Sequence, residues 1–229
     1  MERARDGAPD RLWVVAREQT RGRGRRGRPW QSARGNLAAS LLLHLAPGNQ
    51  DAGLMGFVAG VAVARTISKL QSDGDEPVKL KWPNDLLCQG AKLAGILLEA
   101  ETLPSRQLAL VVGIGINVAE APDGMPYATT SLHDMGLTVT PETVFAALSA
   151  HWAACLELYL GKNGRNSILG EWRARAAGIG EPVRVAAAGG EIEGIFETID
   201  DDGRLVVKAA SGQRVPVTAG DILIKGSEL

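Results

Sequence analysis

Short apolar runs recur along the first half of the chain, and they limit its fold more than any other feature. They are rich in Leu, Val and Ile, which is typical of buried strands. Each is shorter than the roughly 20 apolar residues that a membrane span needs. The runs occupy residues 12–16, 37–45, 78–82, 93–98 and 108–118. Residues 51–70 instead repeat apolar side chains at helical spacing, with Asp51 as the expected N-cap. The pattern predicts a sheet covered by helices.

A second helix is predicted over residues 140–160, where Thr140 can cap the first turn, Pro141 suits the first helical position and Gly161 ends the helix. Its expected inward stripe is Val144, Leu148, Trp152, Cys155 and Tyr159. A shorter helical piece is expected near residues 167–177.

The pattern of apolar and turn-forming residues changes after residue 181. Residues 183–217 hold four strand-like stretches separated by the turn-forming sequences AGGE, DDDG and ASGQ. The sequence therefore predicts an α+β protein with two domains. A mixed β-sheet domain flanked by helices is expected at residues 1–180, and a small C-terminal β-barrel at residues 181–229.

Composition excludes several classes of protein. With 229 residues, of which 45% are hydrophobic, the chain can bury a substantial core. A formal net charge of −1 argues against holding nucleic acid through bulk positive charge. The two cysteines, Cys88 and Cys155, lie far apart, and the three histidines are scattered, so no metal-ligand motif is present. We expect a soluble cytoplasmic protein with no membrane partner.

The strongest local signal is the arginine-glycine segment that runs from Arg21 to Trp30. Seven arginines and one acidic residue, Glu18, lie between Arg17 and Arg34. Glycines allow close backbone approach to a ligand, and arginines add forked donors that match phosphate or carboxylate oxygens. An exposed segment that binds RNA is the alternative interpretation, but its position after a predicted buried strand argues against it.

Two further segments carry polar groups at strand ends. Lys81-Trp-Pro-Asn-Asp85 predicts a turn after one strand, and Lys92 begins the next apolar run. Two lysines at the ends of neighbouring strands are more typical of an anion-binding site than of unrelated charges on the surface. The sequence Val111-Val-Gly-Ile-Gly-Ile-Asn117 lacks the third glycine of a dinucleotide fingerprint, which excludes that assignment. No Walker A motif or nucleophile elbow is present.

The motifs GRGRRGRPW, KWPND, KLAGILLE and VVGIGIN, in this order, resemble those of biotin protein ligases. The resemblance extends from about residue 12 to the C-terminus and implies the biotin/lipoate ligase-like fold with an SH3-like C-terminal barrel. It also implies ATP, biotin and Mg²⁺ as reactants and cofactor, with a biotinyl-5′-adenylate intermediate. The implied partner is the biotin carboxyl carrier domain of acetyl-CoA carboxylase or of a related carboxylase, whose lysine is biotinylated. The resemblance leaves a homodimer possible.

The resemblance also implies roles for individual residues. Lys92 and Arg25 are the expected catalytic residues. The expected biotin-binding residues are Gln19, Gly22, Arg23, Gly24, Arg25, Lys92, Gly95 and Ile96. The expected ATP-binding residues are Arg25, Arg26, Arg28, Trp30, Lys81 and Asn117. No magnesium ligands are assigned.

The start of the chain departs from the family pattern. The family's catalytic domain normally begins with a strand and a helix that carry an Asp-Ser-Thr-Asn motif, and residues 1–9 resemble only the tail of that helix. Weaker biotin binding is the expected consequence, because each unreplaced polar contact costs about 1–3 kcal/mol. An N-terminal helix-turn-helix domain is also not found in the sequence, so DNA binding is not expected.

Two other functions remain as alternatives at this point, as does an inactive, shortened homologue that only binds the adenylate. A lipoate or octanoate ligase or transferase would share a related fold and would also modify a carrier lysine. A nucleic-acid-binding module would use the arginine-rich loop alone, and its binding would weaken steeply with salt.

Overall fold

The structure is a computed structural model that describes residues 1–72, 76–187 and 190–224, except for the side chain of Gln50. Its larger sheet has six strands in the order β1-β2-β6-β5-β4-β3. These strands are β1 (Leu12–Ala16), β2 (Leu37–Leu45), β3 (Lys79–Lys81), β4 (Asp85–Cys88), β5 (Ala91–Thr102) and β6 (Leu108–Ile116). The predicted runs thus form strands, although β1 was expected to be buried and is instead an edge strand with Val14 and Val15 exposed. The short strand β4 was not predicted.

The pairings between these strands are antiparallel throughout the described sheet. The sequence predicted a mixed sheet, whereas parallel contacts are confined here to two isolated bridges, Leu80–Ala176 and Lys92–Thr129. Hairpin connections explain the difference, because β3, β4, β5 and β6 follow one another with connections too short for a parallel crossover.

Four α-helices accompany the sheet in the part of the chain that the structure describes: α1 (Glu2–Arg5), α2 (Met55–Leu70), α3 (Pro141–Leu160) and α4 (Gly164–Ala174). Helix α2 begins after a 3₁₀ turn, Gln50–Leu54. The predicted N-cap at Asp51 was wrong, because the Asn49 side chain accepts the Asp51 backbone N–H at 2.8 Å. The Asp51 carboxylate instead forms an ion pair with Arg165.

Helix α3 confirms the predicted cap and packing. The Thr140 hydroxyl accepts the backbone N–H of Thr143 at 3.3 Å, and Gly161 follows the last turn. The predicted inward residues Val144, Leu148, Trp152 and Cys155 are buried, and Tyr159 is half-buried. Helix α4 begins three residues earlier than the sequence predicted.

The two faces of the large sheet are covered to different extents. Alternate residues of β2 and β6, such as Leu41 and Val112, join the main core with α2 and α3. The intervening residues Leu42, Ala109 and Val111 lie on the opposite face, where they meet Ala4 of the short helix α1. Because α1 covers only part of that face, the rest of it is open to form a site.

A second, five-stranded antiparallel sheet follows in the order β10-β9-β8-β7-β11. Its strands are β7 (Pro182–Ala187), β8 (Gly190–Ile199), β9 (Leu205–Lys208), β10 (Arg214–Val217) and β11 (Gly220–Ile224). Strand β11 was not predicted. In the described pairings β10 and β11 are edge strands and the sheet is not closed. The predicted AGGE turn spans residues 188–191, of which 188 and 189 lie outside the described residues and Gly190 and Glu191 begin β8.

The second sheet is packed firmly against the first part of the chain. The indole N–H of Trp82 donates to the Gly203 carbonyl oxygen at 3.0 Å, and Trp82 is buried. Gly203 has a φ of +76° and lies directly against the Phe57 ring. Buried residues of the second sheet, including Phe196 and Leu205, belong to the same hydrophobic cluster as α2. The chain therefore has one continuous main core.

Two helical segments, Asp51–Leu70 and Pro141–Leu160, are long and apolar enough by length and composition alone to cross a membrane. In the first segment 67% of the most apolar window is buried inside the protein, and in the second 22%. This is weak evidence for a membrane span, because core helices of soluble proteins have the same length and composition.

Candidate functional site

A cavity of about 940 Å³ lies on the face of the large sheet that the long helices leave uncovered. Its floor comes from β2, β5 and β6, and its walls come from the arginine-glycine segment, the turn after β3 and residues 125–128. Part of the lining is apolar and includes Leu12, Val14, Leu42 and Val111. The cavity thus joins an apolar pocket to a strongly charged wall.

The arginine-glycine segment is a folded hairpin, which we call the arginine hairpin (residues 21–30). The Gly24 N–H donates to the Arg28 carbonyl at 2.7 Å, and the Trp30 N–H donates to the Gly22 carbonyl at 3.0 Å. Arg23 and Pro29 form an antiparallel bridge between these two bonds. These bonds close the hairpin, so its arginines are presented from a defined backbone.

Asp221, at the start of β11, contacts three arginines of this hairpin. Its Oδ1 lies 3.4 Å from Nη1 of Arg25 and 3.1 Å from Nη2 of Arg28, and its Oδ2 lies 3.1 Å from Nη1 of Arg26. Arg25 also donates to the Gly220 carbonyl at 3.1 Å. One carboxylate facing three guanidinium groups leaves an excess of positive charge beside the cavity.

Arg25 is the most buried of these three arginines, with 21% of its side chain exposed. Burial lowers the pKa of Arg25, and the nearby Asp221 carboxylate opposes that shift. A guanidinium group stays charged in proteins, so burial here strengthens its field in the cavity without neutralising it.

Two lysines and Asp85 form the second charged wall. Lys81 and Asp85 are paired across the β3–β4 hairpin, and Lys92 Nζ lies 2.8 Å from Asp85 Oδ1. That oxygen is buried and accepts no well-aligned hydrogen bond, so the contact with Lys92 is an ion pair. Lys81 is only 5% exposed. Burial lowers the pKa of Lys81, Asp85 raises it, and the like charge of Lys92 lowers it further.

Aromatic rings and an amide hold these charges in place. The Lys92 ammonium lies 5.6 Å from the Trp30 ring centre and 5.5 Å from that of Tyr127, both within cation–π range. Asn84 donates to the Ile96 carbonyl at 2.7 Å and accepts from Arg25 at 3.5 Å. Asn84 therefore ties the turn after β3 to both β5 and the arginine hairpin.

Most residues expected from the sequence line the same cavity. They are Gln19, Arg23, Gly24, Arg25, Arg28, Trp30, Lys81, Lys92, Gly95 and Ile96. Three expected residues do not line it. Gly22 holds Trp30 by a backbone bond, and Arg26 is directed to Asp221. Asn117 is 2% exposed and donates to the Thr130 carbonyl at 3.0 Å, so its amide supports the fold beneath the site.

Sequence reasoning missed Asp221, Tyr127 and the ion-pair role of Asp85. Asp221 follows a glycine in a run with no recognised motif, and only the folding of the second sheet brings it to the hairpin. Tyr127 lies in a segment with no periodic pattern. The order KWPND had identified Asp85 only as a turn residue, although its position across from Lys81 makes it a charge partner.

The arrangement suits chemistry between two anions. Among the described residues, seven cationic side chains and four carboxylates line the cavity: Arg3, Arg21, Arg23, Arg25, Arg28, Lys81 and Lys92, and Glu2, Asp85, Glu99 and Asp221. Preorganised cations in a partly buried site stabilise developing negative charge without reorganisation. No nucleophile activated by a neighbouring base lines the cavity within residues 1–72, 76–187 and 190–224, so a reaction between two bound substrates fits best.

Comparison with known proteins agrees with this geometry. Residues 4–117 match the biotin/lipoate A/B protein ligase family, and residues 178–225 match the biotin protein ligase C-terminal domain. A biotin–[acetyl-CoA-carboxylase] ligase of Paracoccus denitrificans is 40% identical over 93% of this chain and 90% of that protein. The enzyme of the same name from Mycobacterium tuberculosis is 35% identical over 97% of this chain and 83% of its own length.

A solved structure gives the same result at the level of the fold. The biotin protein ligase of Aquifex aeolicus, in complex with biotin and ATP, superimposes with a TM-score of 0.81. The two sequences are 26% identical, and the match covers 98% of this chain and 93% of that one.

Proposed function

The chain belongs to the biotin/lipoate A/B protein ligase family, and from this premise we propose that its cavity carries out the ATP-dependent biotinylation of a carrier-domain lysine. Its relatives are biotin–[acetyl-CoA-carboxylase] ligases, and the chain is an enzyme of that kind. The convergence of the arginine hairpin and Lys92 on one cavity carries the proposal.

The reaction has two steps that use the same charged wall. The carboxylate of biotin attacks the α-phosphorus of ATP, and pyrophosphate leaves with the electron pair of the broken P–O bond. The neutral amine of the carrier lysine then attacks the carbonyl carbon of biotinyl-5′-adenylate. AMP leaves, the amine loses a proton, and the product is a biotinyl amide. Both steps pass negative charge between phosphate and carboxyl oxygens, which nearby cations stabilise.

The proposed roles follow from position in the cavity. Lys92 and Arg25 are the proposed catalytic residues, because both are partly buried and cationic at the charged end. Arg28, Lys81 and Trp30 are proposed to face the nucleotide. Gln19, Gly24, Gly95 and Ile96 line the cavity where biotin is proposed to bind. Holding the two anions side by side supplies the orientation that a bimolecular reaction lacks.

Magnesium is proposed to enter with ATP. Within the described residues no group of three His, Cys, Asp or Glu side chains could hold a metal alone. Mg²⁺ is commonly bound by one or two protein oxygens together with substrate phosphates and water. Asp85 and Asn84 line the cavity and present such oxygens, so they fit this pattern. A bound ion would neutralise part of the phosphate charge.

The partner is proposed to be the biotin carboxyl carrier domain of acetyl-CoA carboxylase or of a related carboxylase. Residues 1–180 are proposed as the catalytic domain. The sheet of residues 181–224 is proposed to be curled like an SH3 barrel and to supply Asp221 to the hairpin. We propose that the enzyme acts in the cytoplasm, without DNA or a membrane, and that a homodimer is compatible with these roles.

The two alternatives fit less well. A loose RNA-binding segment would leave its arginines free, whereas Arg25, Arg26 and Arg28 are all engaged by Asp221. A lipoate ligase shares the family, but residues 178–225 match a C-terminal domain that is named for biotin protein ligases.

One assay tests the proposal. Purified protein is incubated with ATP, Mg²⁺, biotin and a carrier domain, and the carrier is probed with streptavidin. A labelled carrier is the expected result. Attachment of lipoate in a parallel reaction, with no biotin attached, would overturn the assignment.

A further inference from the structure

The Trp30 indole lies directly on two glycines of the cavity floor. Gly95 in β5 and Gly115 in β6 are paired opposite each other in the strand register. A Cβ atom built on Gly115 would lie 2.5 Å from two carbons of the Trp30 ring, and one on Gly95 would lie 3.0 Å from it. Carbon atoms of residues that are not bonded to each other do not approach this closely, so the ring occupies the space that a side chain at position 115 would need.

Backbone conformation does not require glycine at either position. Neither Gly95 nor Gly115 is among the described glycines with positive φ, and both lie inside regular strands. Glycine in a strand interior is unfavourable and often marks a place where another group approaches closely. Here that group is the Trp30 ring.

Gly113 provides an internal comparison. It lies two residues before Gly115, on the same face of β6, and it also lines the cavity. A Cβ on Gly113 would meet only Leu97, at 3.5 Å or more, which is ordinary van der Waals contact. The close approach is therefore specific to the Gly95–Gly115 pair.

The position of the ring fixes the position of the arginine hairpin. Trp30 is the last residue of the hairpin, and its backbone N–H is bonded to the Gly22 carbonyl at the hairpin's start. The opposite end of the hairpin is tied to Asp221. The indole on the floor and the carboxylate of Asp221 thus hold the hairpin at two separate points.

We propose that Gly95 and Gly115 form a seat for the Trp30 indole, and that seating this ring holds the arginine hairpin closed over the cavity. Both glycines act as positioning residues through Trp30. The seat itself does not depend on the proposed function. Its expected consequence, that a closed hairpin keeps biotinyl-5′-adenylate from leaving the site, rests on the proposed function.

Limited digestion with trypsin tests the seat without any substrate, since trypsin cleaves after the arginines of the hairpin when it opens. Gly115→Ala is expected to raise the rate of cleavage within residues 21–28 by about tenfold, because cleavage follows the population of the open state. Mass spectrometry of the fragments locates the cuts. The matched control Gly113→Ala is expected to leave that rate unchanged, and an equal increase in both variants would overturn the proposal.

A double-mutant cycle identifies Trp30 as the partner. Trp30→Ala alone is expected to open the hairpin, and adding Gly115→Ala to it is expected to change cleavage less than about twofold. A full additional effect of Gly115→Ala in the Trp30→Ala background would show that the glycine serves the strand and not the ring. Gly95→Ala, with its longer contact, is the second variant if Gly115→Ala does not fold, and it is expected to give a smaller increase that also vanishes without Trp30.

The functional consequence is measured separately. In Gly115→Ala, biotinyl-5′-adenylate is expected to escape at least several-fold faster, while Gly113→Ala retains it. Unchanged retention in a variant whose hairpin is demonstrably open would overturn the consequence. If no variant and no wild-type protein forms adenylate, the proposed function fails, and the digestion results still decide the seat.

Discussion

The Nζ atom of Lys92 lies 2.8 Å from Oδ1 of Asp85, in a cavity where Lys81 and Arg25 add two more positive charges. The ion pair holds Lys92 on the cavity wall before any substrate binds. When an anionic reactant enters, the ammonium can turn toward it while Asp85 stays within reach of Lys81. This relationship between one carboxylate and two lysines underlies the predictions on the charged wall.

Lys92→Ala should slow adenylate formation by roughly 100-fold or more, the scale of losing one preorganised charge contact in a transition state. Release of pyrophosphate in the presence of biotin and ATP is the measurement. Lys79→Ala is the matched control, because Lys79 belongs to β3, is exposed and does not line the cavity. Equal rates in Lys92→Ala and in the wild type would show that the catalytic lysine has been misplaced.

Arg25→Ala and Arg26→Ala should separate two adjacent arginines of the same hairpin. Arg25 lines the cavity and is largely buried, whereas 52% of the Arg26 side chain is exposed. We expect roughly a 100-fold loss of adenylate formation in Arg25→Ala, again the scale of one lost charge contact. We expect a much smaller loss in Arg26→Ala. The reverse order in pyrophosphate release would contradict the placement of Arg25.

Asp221→Ala should loosen the attachment of the hairpin to the second sheet. Each partly exposed ion pair contributes about 0–1 kcal/mol to holding the hairpin in place. Because three pairs are lost together, we expect about a tenfold fall in kcat/KM. Glu193→Ala is the control, because Glu193 belongs to the same sheet and pairs only with Arg184 among the ion pairs described. An equal effect of both substitutions would assign it to the sheet as a whole.

Lys81→Met should stabilise the fold while it weakens catalysis. Replacing a buried charge by an apolar chain of similar length is commonly neutral or stabilising, here by about 1 kcal/mol, and Asp85 keeps Lys92 as its partner. The pKa of Lys81 is lowered from its ordinary value of 10.5, so between the two pKa values the unfolded chain binds more protons than the folded one. Wild-type stability from this group therefore rises with pH in that window.

Thermal unfolding of wild type and Lys81→Met at neutral and alkaline pH tests this predicted rise of wild-type stability with pH. The advantage of Lys81→Met should be largest at neutral pH and should shrink as the pH approaches 10.5. A less stable variant at neutral pH would mean that the buried ammonium stabilises the fold.

Trp82→Phe should weaken the contact between the two sheets. The Gly203 carbonyl would lose its indole donor, and an unsatisfied buried polar group costs about 1–3 kcal/mol. Urea unfolding gives the change in the free energy of unfolding. A loss near zero would show that Trp82 serves only the turn in which it lies.

Local sequence patterns predicted the elements of this fold that depend on local chemistry. Helix α3 follows from its cap and its apolar period, and β2 and β6 follow from their apolar runs. The N-cap predicted at Asp51 was wrong because the helical segment begins earlier, with a 3₁₀ turn capped by Asn49, whose side chain accepts the Asp51 backbone N–H. Strand β4 was missed because four residues carry too little periodicity beside a turn.

The candidate site likewise contains residues that local motifs predict and contacts that only the tertiary fold creates. Motif order predicted Lys81, Lys92 and the arginine hairpin, since these lie in short continuous segments. It could not predict that Asp221, nearly 200 residues further along the chain, meets Arg25 (a sequence separation of 196), because that contact depends on how the second sheet packs. Nor could it predict that Gly95 and Gly115 contact Trp30, which requires the register of β5 against β6.

Exchange of labelled pyrophosphate into ATP, with and without biotin, tests the central claim most directly, because it reports the joining of two anions in one cavity before any carrier is added. We expect exchange in the wild type that requires biotin and that falls in Lys92→Ala but not in Lys79→Ala. An exchange rate that is the same without biotin, or that is unchanged in Lys92→Ala, would contradict the account.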